Sequence, residues 1–259
     1  MKTLIAIDGN SLMHRAYYAL PSMAAKDGTP TGAIFGFLRM LLKLLERQPD
    51  YLVVAFDMKG PTFRHGEYAE YKAGRRPTPP DLGPQFPLLR QVLEAMGIAI
   101  CQCEGYEADD TIGTLARIAD GTEGFQTYMV SQDKDLGQLI SSTCFLWKPG
   151  KRGNDHEVID LAKLKEQWGI ERADQVIDIL ALMGDSSDNI PGLPGVGEKT
   201  AKLLIGEFGS VENLLSNTDK LKGKRKQIVE ENGAMATLSK QLATERSIAS
   251  NPKHRKNML

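Results

Sequence analysis

Nine acidic residues stand where a fold could bring their carboxylates together. Asp8 closes the predicted strand Thr3–Ile7, and Asp57 closes the predicted strand Tyr51–Phe56. The other seven are Glu107, Asp109 and Asp110 after the apolar stretch Ile98–Cys103, Asp133 and Asp135 after Thr127–Val130, and Asp185 and Asp188 after the helix-like Gln175–Met183. Carboxylates that cluster need positive charge among them, because like charges at close range disfavour one another's ionised form.

The strands before these acids would set most of them along one edge of a sheet. Strands joined by helices pair in parallel, so their carboxyl ends share one edge, where ligand crevices form. Two divalent metal ions, Mg²⁺ or Mn²⁺, would relieve the repulsion there, since both ions prefer oxygen ligands. The array therefore predicts a metal-dependent phosphoryl-transfer enzyme.

Each acid taken alone also has a structural explanation. A single Asp after a strand commonly caps a helix or starts a turn. Glu107, Asp109 and Asp110 could equally stabilise the dipole at a helix start, and Asp185 and Asp188 share one face if their segment is helical. It is the joint pattern that favours a metal site over surface decoration.

The net charge of −1 conceals a basic remainder. Setting aside these nine of the 33 acidic residues leaves 24 against 32 basic ones, a balance of +8. A basic surface around a neutralised acidic cluster suits a partner rich in phosphate. The basic run Lys220–Lys226 is either a further phosphate contact or an ordinary solvated segment, and both interpretations stay open.

The first two-thirds of the chain alternate between predicted strands and helices. A further short strand, Thr143–Trp147, precedes a turn rich in Gly and Lys, and from about Asp160 the pattern is helical. We therefore predict an α/β fold with a mainly parallel central sheet flanked by helices. This catalytic domain would cover residues 1–170, and a helical subdomain over residues 171–259 would pack against it.

Composition narrows the class of protein further. No apolar run approaches the ~20 residues that span a bilayer, and the chain begins at once with a strand, without a secretion signal. The three cysteines and four histidines show no metal-ligand spacing. An odd number of cysteines fits a reducing cytoplasm, so we expect a cytoplasmic protein and, by default, a monomer.

A glycine-rich turn, Ile190–Ala201, is the second strong signal. Gly195 and Gly197 would let the backbone turn tightly before an amphipathic helix. Such a hairpin can present backbone N–H groups to a phosphate, with Lys199 and Lys202 adding charge. The segment matches neither a dinucleotide fingerprint nor a P-loop, because a helix rather than a strand precedes it. A plain helix–helix turn remains the alternative.

Cations and aromatic residues alternate between Thr62 and Pro77. The set consists of Phe63, Arg64, Tyr68, Tyr71, Lys72, Arg75 and Arg76. Cations for phosphates and aromatic faces for bases suit single-stranded nucleic acid, although a solvated basic helix with buried aromatics would look similar. Its position directly after Asp57 makes the segment a candidate cover over the site.

Together these motifs resemble the 5′-nuclease, or flap endonuclease, superfamily, and especially the bacterial 5′–3′ exonuclease domains of DNA polymerase I and their free-standing homologues. The specific segments are Ile5–Asn10, Tyr106–Asp110, Ser131–Leu136 and Gly184–Gly192, the last leading into a helix–three-turn–helix element. The similarity extends to roughly Leu242. The chain stops at Leu259 without a polymerase region, which favours a stand-alone nuclease unless it is a piece of a longer protein.

The resemblance implies specific roles for residues of this chain. All nine acids match metal ligands, direct or through water, and we expect Glu107, Asp109, Asp110 and Asp133 to be the innermost. Lys72 and Arg75, with Asp110, would act in catalysis. The implied DNA contacts are Arg15, Tyr71, Lys72, Arg75, Arg76, Gly195, Gly197, Lys199 and Lys202, with Tyr71 stacking on a base inside a helical arch near residues 62–97. A potassium ion would bind near Ser187 and Val196.

The expected activity is structure-specific 5′–3′ exonuclease or flap endonuclease cleavage of branched, nicked or 5′-ended duplex DNA. A PIN-like RNase would share the acidic sheet edge but would not need the hairpin around Gly195 and Gly197. A protein that binds branched DNA without cutting it would be favoured by loss of acids, and none of the nine is lost.

Overall fold

A six-stranded sheet forms the centre of the molecule in the computed structural model, which describes residues 1–150 and 156–248. The strand order is β3-β2-β1-β4-β5-β6. The strands are β1 Lys2–Asp8, β2 Tyr51–Ala55, β3 Ala99–Cys101, β4 Phe125–Val130, β5 Cys144–Pro149 and β6 His156–Ile159. All neighbours pair in parallel except β5 and β6, which are antiparallel. The predicted mainly parallel sheet is therefore confirmed, with one further strand, β6, that the sequence pattern did not indicate.

Helices cover both faces of the sheet and form most of the described chain after β6. They are α1 Gly9–Ala19, α2 Gly32–Leu45, α3 Phe63–Glu67, α4 Gln85–Ala95, α5 Ala108–Asp120, α6 Leu161–Trp168, α7 Gln175–Met183, α8 Glu198–Phe208, α9 Val211–Ser216, α10 Gly223–Glu231 and α11 Gly233–Ala243. Within the described ranges no strand follows β6, as the sequence pattern indicated. None of these helices combines the length and apolar character needed to cross a membrane.

Two hydrophobic clusters lie on opposite faces of the sheet. Successive side chains of β1 point alternately to them, Ile5 and Ile7 to one and Ala6 to the other. Burial on both faces explains why the central strand is an unbroken apolar run. The cluster on the Ala6 side continues from α5 into α7 and α8, so the C-terminal helices share one core with the sheet.

The cover segment differs from the predicted helical arch near residues 62–97. Only α3 and α4 are helical there, and residues 68–84, all of them described, contain turns but no helix. Pro77, Pro79 and Pro80 cannot continue a helix, and Lys72 adopts a positive φ of 58°. The predicted turn after Thr143–Trp147 falls mostly on residues 151–155, which lie, like the tail from Asn251, outside the described residues.

Candidate active site at the sheet edge

Asp8 ends β1 and Asp57 follows β2, and each accepts a hydrogen bond from a backbone N–H group. Asp8 caps α1 by accepting from Ser11 N at 2.9 Å, so the structural explanation for this acid is also correct. Its other oxygen accepts from Ser131 Oγ at 2.7 Å. Asp57 accepts from Ala108 N at 2.8 Å and from Asn10 Nδ2 at 2.9 Å. These hydrogen bonds link the carboxyl ends of β1, β2 and β4.

One cavity of about 390 Å³ gathers part of the predicted site. Five of the nine acids line it, namely Asp8, Asp57, Glu107, Asp109 and Asp133. The cations Lys72, Arg75 and Arg76 line the same cavity. Asp110, Asp135, Asp185 and Asp188 are not among its lining residues. The structure thus brings acidic and basic side chains from distant parts of the sequence to the wall of this one cavity, which we call the acidic pit.

Burial and mutual repulsion raise the pKa values of the acids in this pit. Desolvation is the largest cause for Asp8, and it raises that pKa to about 7 despite hydrogen bonds from Ser11 and Ser131. Desolvation, followed by the charges of Asp8 and Asp133, holds the pKa of Asp109 well above its ordinary value. The pKa values of Asp57 and Asp133 are also raised, chiefly by burial. The ionised forms of these four acids are therefore disfavoured in the absence of a bound cation, as expected of a cation site.

Lys72 and Arg75 connect the cover segment to the start of the hairpin. Lys72 Nζ lies 2.6 Å from Glu107 Oε1 and 3.6 Å from Asp188 Oδ2, and Arg75 pairs with Asp188. Burial would raise the pKa of Asp188, but these two cations outweigh it and lower that pKa. The backbone N–H of Lys72 also donates to the backbone carbonyl oxygen of Asp188 at 2.9 Å. Two cations are thus positioned over the pit by residues of the hairpin.

Asp110 does not occupy the position that we predicted for an innermost ligand. It is fully buried, and its oxygens accept from Arg64 at 2.7 and 3.0 Å, from Glu107 N at 3.0 Å and from Arg246 N at 2.8 Å. A carboxylate has about four acceptor positions, and all are taken. Its geometry therefore supports a structural role rather than the predicted catalytic one.

Tyr71 and Arg64 are also buried rather than available to nucleic acid. Tyr71 is 3% exposed, and its hydroxyl lies 3.1 Å from a Glu107 oxygen and 3.0 Å from an Asp188 oxygen, between which its one proton is shared. The expectation that Tyr71 stacks on a base is therefore wrong for this arrangement. Arg64 is 1% exposed and pairs with Asp110, Glu107 and Glu245. Arg15, another predicted phosphate contact, donates to Gly150 O.

The hairpin between α7 and α8 is closed by glycines that sequence reasoning did not single out. A Cβ on Gly192, where φ is +61°, would lie 2.3 Å from Gly184 N. Gly195 has the expected positive φ of +74°, whereas Gly197 has an ordinary φ of −92° and caps α8. Both glycines belong to the sequence motif Gly184–Gly192, but their spacing along the chain does not show that their backbones touch.

Lys199 and Lys202 differ in their surroundings on α8. Lys199 is exposed, while Lys202 Nζ pairs with Glu198 at 2.6 Å and donates to Gln167 O at 2.9 Å. Ser187, near the hairpin start, is exposed, and Val196 is 8% exposed. Lys199 is therefore the better placed of the two lysines to meet a phosphate.

The acids suit a divalent metal by their chemistry, although their present arrangement does not enclose one. Among the described residues, no three His, Cys, Asp or Glu side chains converge as metal ligands would. Lys72 and Lys134 instead hold Glu107 and Asp185 in ion pairs. Two hard oxygens are nevertheless buried without a hydrogen-bond partner, Asp109 Oδ1 and Asp135 Oδ1. Oxygen atoms of this kind suit Mg²⁺ or Mn²⁺. To bind a metal ion, Glu107 and Asp185 would have to give up their ion pairs with Lys72 and Lys134.

Several residues at the site were not found from the sequence. Ser131 supports Asp8 and also accepts from Asp133 N at 3.0 Å, Asn10 orients Asp57, and His14 lines the cavity. Ser131 and Asn10 belong to the motifs Ser131–Leu136 and Ile5–Asn10, so their positions were marked, but their roles as supports follow only from tertiary contacts.

Comparisons with known proteins match the whole length of this arrangement. The family model described as 5′-3′ exonuclease, N-terminal resolvase-like domain, matches residues 3–169, and that described as 5′-3′ exonuclease, C-terminal SAM fold, matches residues 171–253. DNA polymerase I of Bacillus subtilis is 46% identical over 245 residues, which are 94% of this chain. The chain spans only 28% of that protein's length.

Two further proteins align with this chain over most of both lengths. The 5′-3′ exonuclease of Aquifex aeolicus is 42% identical over 221 residues, which are 85% of this chain and 74% of that protein. A structure of T5 5′-exonuclease with bound divalent zinc ions has a TM-score of 0.76 at 22% identity, covering 93% of this chain and 89% of that one. At this identity the structural likeness establishes the fold, a mixed, mostly parallel sheet with a C-terminal helical domain.

Proposed function

The chain belongs to the 5′–3′ exonuclease family, and we propose that it is a structure-specific 5′ nuclease that hydrolyses phosphodiester bonds in branched, nicked or 5′-ended duplex DNA. One observation supports this most directly. Five carboxylates and three cations line a single cavity at the carboxyl edge of the sheet. Carboxylates that can hold metal, facing cations that can hold phosphate, form the pair of functions that phosphodiester hydrolysis needs.

The residues that would hold metal are those of the pit together with the nearby Asp135. Asp8, Asp57, Glu107, Asp109 and Asp133 line the cavity, and Asp109 and Asp135 supply the buried unpartnered oxygens. Two bound Mg²⁺ or Mn²⁺ ions would supply an activated water and stabilise the leaving 3′ oxygen. Asp185 and Asp188 would act from the hairpin side, through water or by orienting cations.

Lys72, Arg75 and Arg76 would bind and orient the scissile phosphate. The Lys72 side chain is 15% exposed and the Arg75 side chain 49% exposed, so both can reach an entering strand. Their present partners, Glu107 and Asp188, keep them directed at the pit. A phosphate would replace those carboxylates and leave the cations in place to stabilise developing charge.

The hairpin and α8 would grip duplex DNA without reading its sequence. Gly195 and Gly197 leave the backbone exposed just before α8, and Lys199 adds an unshielded charge. Arg15 and Lys202 would have to exchange their present protein contacts for phosphates. We also propose that a potassium ion binds near Ser187 and Val196 and that a domain boundary lies near residue 170. We further propose that the protein is a monomer and is cytoplasmic; the three buried cysteines, which form no disulfide with one another, support a reducing location.

The proposal is tested with three labelled duplexes that share one sequence and differ only in shape: a 5′ flap, a nick and a blunt end. In Mg²⁺ we expect cleavage of the flap and nicked duplexes to exceed that of the blunt duplex, and none in chelator. Equal cleavage of single-stranded RNA and flap DNA would contradict the proposal in favour of an RNase. Tight flap binding without cleavage in Mg²⁺ or Mn²⁺ would replace it with a binding protein.

A further inference from the structure

The chain that follows α11 is hydrogen-bonded to the helix that carries Asp109. We call residues 244–248 the strap. Three hydrogen bonds join the strap to α5: from Arg246 N to Asp110 Oδ1 at 2.8 Å, from Ile248 N to Thr114 Oγ1 at 2.8 Å, and from Arg117 Nη2 to Glu245 O at 2.9 Å. Asp109 lies in the first turn of the same helix. The strap and this acid therefore belong to one connected unit.

The carboxamide of Gln138 joins the strap to the second acidic segment. Its Nε2 donates to Ala243 O at 3.0 Å, and its Oε1 accepts from Glu245 N at 2.9 Å. The same Nε2 also donates to Asp135 O at 3.0 Å. A carboxamide has two donor hydrogens and an acceptor oxygen, so all three bonds can form at once. Gln138 thus ties the strap to the turn that carries Asp133 and Asp135.

The two segments that the strap connects carry the unpartnered oxygens of the site. Within the described part of the chain, Asp109 Oδ1 and Asp135 Oδ1 are buried without a hydrogen-bond partner. Asp133 Oδ1 accepts from Asp135 N at 2.9 Å, so the position of the turn also fixes Asp133. Mg²⁺ demands near-ideal coordination geometry. The affinity for such an ion therefore depends on how far apart these two segments are held.

We propose that Gln138 is a positioning residue: through the strap, it sets the separation between Asp109 and the turn of Asp133 and Asp135, and thereby the affinity for a divalent ion. This inference rests on the proposed function, because it takes these acids to hold metal. Gln138 itself touches no metal and acts only through the groups that it holds. Removing a group of this kind typically weakens metal binding by about 10–100-fold.

Gln175 provides a matched control. Its carboxamide also makes three bonds to backbone: Oε1 accepts from Glu171 N at 2.8 Å and from Arg172 N at 3.0 Å, and Nε2 donates to Gly209 O at 3.0 Å. Its exposure of 4% is close to the 8% of Gln138, and none of these three partners is one of the nine acids. Methionine keeps the length of a glutamine side chain but removes the three bonds. Gln138→Met and Gln175→Met should therefore lose similar amounts of stability.

Metal binding tests the inference without DNA. The full chain is titrated with Mn²⁺, which takes the same oxygen ligands as Mg²⁺, in mildly alkaline buffer, and free Mn²⁺ is measured from its EPR signal. We expect Gln138→Met to weaken Mn²⁺ binding about tenfold, and Gln175→Met to leave it unchanged. Urea unfolding of both variants in chelator measures the loss of stability. Similar losses of stability with different losses of affinity would separate positioning from general destabilisation.

A second variant keeps the test decisive if Gln138→Met does not fold. Arg117 is exposed, and Arg117→Met removes its hydrogen bond to Glu245 O in the strap. It should weaken Mn²⁺ binding in the same direction by a smaller factor. Unchanged affinity in Arg117→Met would then reject the positioning role.

The outcomes separate this inference from the proposed function. If the wild-type chain binds Mn²⁺ and cuts flap DNA, but Gln138→Met and Gln175→Met have equal Mn²⁺ affinities, the positioning role is wrong and the nuclease proposal stands. If Gln138→Met selectively loses Mn²⁺ affinity but the wild-type chain cuts no DNA, the positioning role stands and the nuclease proposal is wrong. A wild-type chain that binds no Mn²⁺ would reject both.

Discussion

Asp109 and Asp110 are neighbours in the sequence, yet their side chains meet opposite environments. Asp109 faces the pit with one oxygen unpartnered and a raised pKa, whereas every acceptor position of Asp110 is used by Arg64 or backbone N–H groups. At a helix start, consecutive residues point about 100° apart. One residue can therefore serve chemistry while the next holds the helix to the rest of the protein.

Asparagine at each position should separate the two roles. Asp109→Asn should reduce flap cleavage by about two orders of magnitude or more, as loss of one preorganised electrostatic group does. It should also stabilise the metal-free protein at about pH 8, because an uncompensated charge is removed. Asp110→Asn should instead cost about 3–5 kcal/mol of unfolding free energy, since it leaves buried Arg64 underpaired. Urea unfolding in chelator measures both. Equal unfolding midpoints for the two variants would contradict this division of roles.

The hairpin shows the same contrast at the scale of one element. Gly192 and Gly184 touch backbone to backbone, and Gly192 N donates to Ser239 Oγ at 3.0 Å, which ties the turn to α11. Gly195 has a positive φ but open space around it, and Gly197 has open space and an ordinary φ. The three glycines therefore carry different constraints within six residues of chain.

Alanine at the three positions should give three graded results. Gly192→Ala should disrupt the hairpin, lowering stability and weakening duplex binding, because its Cβ would overlap Gly184. Gly195→Ala should cost about 1 kcal/mol for the left-handed conformation alone. Gly197→Ala meets open space and an ordinary φ, so it should lose only the preference for Gly over Ala at an N-cap, less than about 1 kcal/mol, and serves as the reference. Thermal unfolding and duplex binding by anisotropy measure these effects; a tolerated Gly192→Ala would mean that the close approach does not persist in solution.

Sequence patterns predicted the elements better than the contacts between them. The strands β1, β2, β4 and β5 and the helical C-terminal part follow from apolar periodicity, which depends on neighbours in the chain. The buried state of Tyr71 and Arg64 does not, because it is produced by partners at Glu107, Asp188 and Glu245. A basic, aromatic segment looks the same whether its partners are phosphates or its own carboxylates. Of the nine acids singled out from the sequence, five line the pit, and the metal-binding role of the set stays a prediction.

Arg64 joins parts of the chain that are far apart in sequence and so acts at the scale of the whole molecule. It lies in the short helix α3 and contacts Asp110 on α5, Leu242 O at the end of α11, and Glu245 beyond it. The cover segment, the acidic helix and the C-terminal helices are thereby fixed around one buried guanidinium. Disturbing this residue should alter more than its own surroundings.

Replacing Arg64 with Met should destabilise the protein by about 3–5 kcal/mol, because buried carboxylates lose their counter-charge. Glu245→Gln, by contrast, should cost less, since glutamine keeps the shape of the side chain and Arg64 retains Asp110 and Glu107 as partners. In the double variant, part of the loss should be recovered, because fewer carboxylates are left unpaired. Urea unfolding of all four proteins gives the coupling energy. A coupling of zero would show that Glu245 and Arg64 do not interact.

The acidic pit also makes stability depend on pH and on metal in a defined direction. In the folded protein the pKa of Asp8 is about 7, above its ordinary value of 3.8, so the folded state binds the proton more tightly than the unfolded state. The stability that this proton contributes is full below the unfolded pKa and is lost as pH rises through about 7. In chelator, the melting temperature should therefore fall between about pH 5.5 and about pH 8.5.

Mg²⁺ should reverse the fall in melting temperature, most strongly at the upper end of the pH range, because it binds the deprotonated folded site. Asp8→Asn keeps a side chain that caps helices well, and should flatten the profile in chelator. A melting temperature that rises with pH in chelator would show that the acids of the pit are already neutralised by protein cations.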